Sequence, residues 1–458
     1  MKKREIVMQR RVSELRAHPL NERLYGSESL GKVFLHSVKE KGILVPLAIK
    51  QDGTIISGHR RWRAAMAVGL QTVPVEVVSY DNELDEREAV IEFNRQREKT
   101  FSQKMAEAEE LESVERERAR WRQAATQLAG RVKGGEPIFG GGKFATTEEK
   151  GKTRDKVAAA VGLGSGRTYD KAAKVWEAAK KGDEVAKKVV QELDEGKATV
   201  NEAYKTVVKQ QEKAEREQAA QKAEHVAALP VRQKPKVEPG QWWQLGRHLL
   251  YCGDTGDPAF WQQIPSAAFA FADPPYNAGV AEWDKGFVWQ HDWLTDVAEV
   301  AAVTPGIGGL FDFAKRTQMP YRWSAACWID NGMTLGAMGF GNWIYVALFA
   351  RGSVFRQAQD FAKVSIRVAE TADTTHKGRK PSALLAWLLG TFTKPQEIVV
   401  DPFLGSGTTL LVAEEMGRVC YGGELSPEFC ADIIARWEKQ TERKAEVIPR
   451  ACNRLRAS

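Results

Sequence analysis

A chain of 458 residues exceeds what one hydrophobic core organises and predicts roughly two to four domains. Its 67 Lys+Arg against 60 Asp+Glu leave a net charge of +7, which suits a polyanionic partner but does not identify one. Five scattered cysteines (Cys252, Cys327, Cys420, Cys430, Cys452) without a C-x-x-C pair argue against a disulfide framework and a zinc site, and fit reduced packing residues in a cytoplasmic protein.

The first residues, MKKREIVMQRRVSELR, are charged with no apolar stretch behind them, and no run approaches about 18 apolar residues, so neither a signal peptide nor a membrane span is expected. Residues 1–100 mix short apolar runs, Ile43 to Ile49 and Val73 to Val78, with helical stretches, as in a small α/β domain. Within them RAHPLNERLY, KEKGILVPLAI, ISGHRRWRAA and FNRQREKT follow one another. In this order they resemble the N-terminal domain of the ParB partition proteins, including its G-x-R-R-x-R-A element at Gly58–Ala64. The resemblance implies that Gly58, Arg60, Arg61, Asn94 and Arg97 bind CTP or another nucleotide. Phe93 replaces the acidic residue that the family uses for its metal, so the resemblance does not extend to magnesium-dependent hydrolysis. The related sulfiredoxin pattern needs a cysteine where Gly58 stands, which excludes that chemistry.

Residues 101–152 read as a charged helix followed by a glycine-rich connection at Gly130–Gly142. Residues 153–182 read as helix–turn–helix: Val157, Ala158 and Val161 face inward, Gly162 permits a positive-φ turn, and Arg167 opens the second helix. Arg167, Thr168, Tyr169, Lys171 and Lys174 are the candidates for DNA contact. Residues 183–239 read as a helical spacer, whose last part, KQQEKAEREQAAQKAEHVA, is polar nearly all round and expected to be solvated, ending in a linker punctuated by Pro230, Pro235 and Pro239.

From Gly240 tryptophan and phenylalanine become common and strand-like runs appear. The apolar strand Ala267–Ala272 ends abruptly in Asp273-Pro274-Pro275-Tyr276. Such a cluster does what methylation of an exocyclic amine needs. The lone pair of that amine is delocalised into the ring, and hydrogen bonds to the Asp273 carboxylate and the Pro274 carbonyl would localise and orient it. Tyr276 would stack on a base extruded from the duplex.

Further on, Ile398–Val400 is a buried-strand signal closed by Asp401, and Gly405-Ser406-Gly407 turns the chain into a helix over Thr408–Gly417. Strand, glycine turn and helix open a doubly wound sheet. A second strand, Val419–Gly422, leads to Glu424, placed as a ribose-binding acid about 20 residues after the loop. Leu410 replaces the third glycine of a dinucleotide fingerprint and no P-loop lysine follows, so the loop suits an uncharged adenosine-like group better than a pyrophosphate.

Together DPPY, DPFLGSGTT and GGELSPEFC resemble the amino-group DNA methyltransferases over roughly residues 240–440, in the β-type motif order, leaving 441–458 as a basic tail. The fold implied is α/β: a Rossmann-like, doubly wound S-adenosylmethionine-dependent methyltransferase domain, preceded by the small ParB/sulfiredoxin-like domain and the helical region. The resemblance implies catalysis by Asp273, Pro274, Pro275 and Tyr276. It implies an S-adenosylmethionine site from Asp401, Pro402, Phe403, Gly405, Ser406, Gly407, Thr408 and Glu424, closed by His376 and Lys380 of a His…Lys-Pro element. Asp at the first DPPY position favours adenine N6, with cytosine N4 as the alternative. Only about 100 residues separate DPPY from that element, leaving Arg351–Thr374 as the room for target recognition.

The expected partner is double-stranded DNA, a homodimer is compatible with the sequence, and the setting implied is a bacterial or phage-infected cell. Two rival readings are a DNA-binding partition or regulatory protein with a non-catalytic methyltransferase half, and a second, nucleotide-hydrolysing or phosphotransferring enzyme in the N-terminal module.

Overall fold

The computed structural model describes residues 8–26, 30–95, 97–131, 153–228, 234–277, 285–329, 334–336, 339–354, 360–364 and 379–449. They form two compact units, Met1–Gln210 and Gln211–Ser458. Among the described residues no helix is long and apolar enough to cross a membrane.

The first unit begins with a mixed five-stranded sheet in the order β1-β5-β3-β4-β2, from β1 (Met8–Arg11), β2 (Arg16–Ala17), β3 (Leu47–Ile49), β4 (Thr54–Ser57) and β5 (Thr72–Val77). Four helices accompany it: α1 (Pro19–Tyr25), α2 (Lys32–Lys41), α3 (His59–Val68) and α4 (Glu83–Glu92). Leu47, Ile49, Ile55, Val73 and Val75 from the central strands are buried together against Ala64 and Ala65 of α3. The helices α5 (Phe101–Arg131), α6 (Thr153–Val161), α7 (Gly166–Lys180), α8 (Glu184–Asp194) and α9 (Val200–Ala227) follow. Met105, Ala108, Val157, Ala158, Val161, Val175, Val189 and Val207 share a second core among them.

The second unit is built on a ten-stranded sheet whose strands are β6 (Trp242–Leu245), β7 (His248–Cys252), β8 (Ala267–Ala272), β9 (Ala298–Val303), β10 (Tyr321–Ile329), β13 (Trp343–Phe349), β14 (Phe361–Val364), β15 (Ile398–Asp401), β16 (Val419–Glu424) and β17 (Glu446–Ile448). A separate pair joins β11 (Thr334–Gly336) and β12 (Gly339–Gly341). The order is β14-β10-β13-β9-β8-β15-β16-β7-β6-β17, and the run β9-β8-β15-β16-β7 is parallel.

Alternation along each central strand loads two cores, one on each face of the sheet. Phe269, Phe271, Leu250 and Val399 pack with α13 (Ser382–Phe392), α14 (Thr408–Glu415) and α15 (Pro427–Thr441). Ala270, Ala272, Leu249, Tyr251 and Val400 point the other way, toward Trp289, Trp293 and the short helices α10 (Pro258–Trp261), α11 (Leu294–Val297) and α12 (Leu310–Arg316). This is the doubly wound sheet that the motifs implied.

The spacer reading of residues 183–239 is corrected. Val189, Val190, Ala203 and Val207 are core residues of the helical part of the first unit, and Ala220, Ala223 and Ala227 are core residues of the second. A stripe of alanines one turn apart is too small to lift the mean hydropathy of KQQEKAEREQAAQKAEHVA, yet it lets the helix lie close against its neighbours. Ala223→Glu, which places a charge in a fully buried position, is expected to cost about 3 kcal/mol or more in chemical denaturation. Gln221→Glu on the exposed side should stay within about 0.5 kcal/mol of the parent.

Candidate active site

β8 and β15 are adjacent and parallel, with Val399 opposite Phe269 and Val400 opposite Ala270. Their carboxyl ends therefore emerge on the same edge, about 4.8 Å apart strand to strand. Asp273 follows one and the glycine loop follows the other. β16 continues from β15 on one side while β8 and β9 lie on the other, so the loop sits where the strand order reverses, the place where open α/β sheets bind ligands.

Asp273 is held from three directions. Its Oδ1 accepts from the Tyr276 hydroxyl at 2.5 Å and from Thr304 Oγ1 at 2.7 Å, and its Oδ2 accepts from Lys380 Nζ at 2.6 Å. The Lys380 ammonium also stands 5.0 Å from the centre of the Tyr276 ring. Lys380, expected to help close the cofactor site, thus reaches the Asp273 carboxylate. Pro274 is buried and Pro275 half-buried. Asn277, in the left-handed region at φ 54°, exchanges two 2.9 Å bonds with the backbone of Phe287 and so pins the far end of this segment.

In the glycine loop, Asp401 is buried and its Oδ1 accepts from the Phe403 amide at 2.8 Å. Glu424 Oε2 accepts from the Gly405 amide and Oε1 from the Ser426 amide, both at 2.9 Å. Ser406 Oγ lies 2.9 Å from Thr408 Oγ1, and the Ser406 carbonyl accepts from Arg436. Gly407 has φ +83°, and a Cβ there would come within 2.9 Å of Ile433, so only glycine fits. Burial pushes the carboxyls of Asp401 and Glu424 up to about 7, outweighing the amide bonds that favour their charged forms.

Several contributors carry no sequence signal. His291 is buried and its ring lies 4.5 Å from that of Phe403. Its Nε2 is 2.9 Å from Thr255 Oγ1, which lies 3.0 Å from the Pro402 carbonyl. Burial lowers His291 to about 4, so the ring is neutral. The single Thr255 proton goes to the carbonyl, which can only accept, so Nε2–H donates to Thr255. This relay fixes the start of the glycine loop. Glu224 of α9 accepts from the amide and hydroxyl of Ser382 and pairs with Arg379, anchoring the segment that carries Lys380. His376 lies outside the described residues, as does most of Arg351–Thr374.

In the first unit Gly58 caps α3 at φ +102°. Arg61 donates to the Val45 and Pro46 carbonyls, the Arg60 and Arg97 guanidinium groups lie over the Phe34 and Tyr25 rings, and Asn94 donates to the Val90 carbonyl. A cleft of about 1070 Å³ in this unit is lined instead by Arg16, His18, Lys50, Tyr80 and Glu86 among others. In α7, Arg167 and Lys174 are exposed, Thr168 is half-buried, and Lys171 bonds Asn201 at 2.6 Å. Tyr169 is corrected: it is a core residue whose hydroxyl donates to Glu112 at 2.8 Å, because the inward face of α7 needs a large apolar ring there.

A DNA methylase model of the N6/N4 methyltransferases matches residues 85–436. The chain belongs to that family. A ParB N-terminal domain model matches residues 1–93. Among curated relatives, the chain is 35% identical over 65 residues to type II methyltransferase M.BglII of Bacillus subtilis, covering 14% of this chain and 18% of that one. It is 41% identical over 61 residues to M.HindIII of Haemophilus influenzae, covering 13% and 20%. Over 91 residues it is 37% identical to a probable chromosome 2-partitioning protein ParB of Deinococcus radiodurans, covering 18% and 31%. The chain thus spans less than a third of the length of each of these relatives. Of solved structures, M1.HpyAVI with S-adenosylmethionine is 18% identical at a TM-score of 0.32, covering 40% of this chain and 96% of that one.

S-adenosylmethionine is the cofactor of this family, and the residues here fit it: two desolvated carboxyls flank a loop closed by left-handed glycines, an acceptor set suited to ribose hydroxyls and to a cationic group. Both carboxyls ionise as pH rises through about 7, and a cationic ligand favours their charged forms. Calorimetric titration with S-adenosylmethionine should therefore show tighter binding at about pH 8 than at about pH 6. An affinity flat across that window would contradict the assignment.

Proposed function

We propose that the chain transfers a methyl group from S-adenosylmethionine to the exocyclic amine of a base flipped out of double-stranded DNA, with N6 of adenine as the target. One observation carries the reading: the Asp273 carboxylate, bonded to Tyr276, Thr304 and Lys380, ends the strand beside the one that feeds the glycine loop.

A carboxylate offers about four acceptor positions, of which three are filled here, leaving one for an amine N–H. The Pro274 carbonyl is the second acceptor. Together they pull the amine lone pair out of conjugation and point it across the pocket, while Tyr276 provides a stacking face for the extruded base. The cofactor supplies an electrophilic methyl group on its sulfonium. Lys380 and Thr304 keep the carboxylate from rotating as the amine approaches. The amine carries one proton too many once methylated, and Asp273, already bonded to it, is the nearest group to accept that proton. Asp rather than Ser at this position supports adenine.

Arg167, Lys171 and Lys174 on α7 support DNA contact by the helical region, and the ParB-like domain supports a role in holding DNA or a nucleotide through Gly58, Arg60, Arg61, Asn94 and Arg97.

Tritiated S-adenosylmethionine and unmodified DNA test the proposal, with the product hydrolysed to nucleosides and weighed. N6-methyladenine is the expected product; N4-methylcytosine would reassign the base and keep the mechanism. Asp273→Ala should lower transfer by about 10²–10⁴-fold while leaving cofactor affinity unchanged. An active Asp273→Ala protein would remove the carboxylate from the mechanism.

A further inference from the structure

The segment after β9 carries large apolar side chains in solvent beside the base pocket. Thr304 opens it and donates to Asp273 Oδ1. Gly306 follows at φ +69°, and a Cβ there would lie 3.1 Å from the Tyr276 ring, so the backbone closes directly on that ring. The next residue, Ile307, is 54% exposed, and Phe311 in the first turn of α12 is 77% exposed. Phe313, two residues on, is buried edge-on to Trp289 and Phe349. One phenylalanine thus anchors α12 while the other is left in water. Lys315, four residues after Phe311 on the same helix, is exposed as well.

We propose that Ile307 and Phe311 form an apolar wedge that enters the DNA base stack at the step vacated by the flipped base; this rests on the function proposed above. Extrusion forfeits the stacking and pairing of one base and leaves a slot between two aromatic faces. Ile and Phe are among the side chains that fill such gaps and recover part of that loss. Position favours DNA over a protein partner: Ile307 adjoins the glycine packed on Tyr276, so whatever covers it also covers the mouth of the base pocket.

The test uses the full chain as the double variant Ile307→Ser/Phe311→Ser. Both positions are exposed, so its thermal melt should match the parent. Two duplexes carry the site identified by sequencing modified bases in DNA from cells expressing the parent protein, one fully paired and one with the target base mispaired. On paired DNA the variant should be slower by about ten-fold or more with an unchanged KM for S-adenosylmethionine, and on mispaired DNA it should come within about two-fold of the parent, because a mispaired base is already easy to extrude. Equal loss on both duplexes, or no loss on the paired one, overturns the wedge and leaves the methyltransferase reading standing. Loss of self-association with unaltered transfer also overturns it and assigns the patch to a second copy of the chain. A parent protein that modifies no DNA overturns the methyltransferase reading, and the wedge with it.

Discussion

The parallel pairing of β8 with β15 is the constraint on which the rest of the site depends. The two strands lie far apart in the chain, yet Val400 stands opposite Ala270, so both run out of the sheet at one edge. Each ends in Asp-Pro: Asp273-Pro274 and Asp401-Pro402. Proline has no amide hydrogen and cannot extend a ladder, so both chains leave the sheet and become loops at nearly the same level. An antiparallel pairing of the same two segments would put Asp273 and the glycine loop at opposite ends of the sheet.

Three carboxyl groups converge at that edge and are treated differently. Asp273 meets an ammonium and two hydroxyls, which fix its orientation. Asp401 and Glu424 are desolvated and bonded to amides of their own loop, so burial disfavours their charged forms and a cationic ligand would favour them. The loop is in turn tied down from behind by the His291–Thr255–Pro402 relay and by Arg436 on the Ser406 carbonyl. Such preorganisation limits the rearrangement that binding requires.

The strands and the glycine turn were legible in the sequence because each is written locally: an apolar run with alternating faces, then Asp-Pro or Gly-x-Gly. What was not legible depends on contacts between distant segments. Glu224 lies in a stretch whose alanine stripe is invisible to average polarity, and its partners Arg379 and Ser382 are more than 150 residues away. His291 is one residue in an aromatic segment with no motif spacing. Tyr169 stands among polar and basic residues that suit DNA contact, and nothing local marks it as inward; its ring is buried only because the neighbouring helices pack over that face of α7. The contact of Lys380 with Asp273 carries no local signal either: the two stand 107 residues apart, and only the long lysine side chain brings them together.

The central claim is that one pocket holds both the methyl donor and the acceptor amine. A crystal structure of the full chain with S-adenosylmethionine bound tests it most directly. The account predicts the ribose on Glu424, the adenosine beside Phe403, and the sulfonium methyl directed into the space in front of Asp273 and Pro274. A cofactor bound with its methyl turned away from Asp273, or bound elsewhere on the chain, would contradict it.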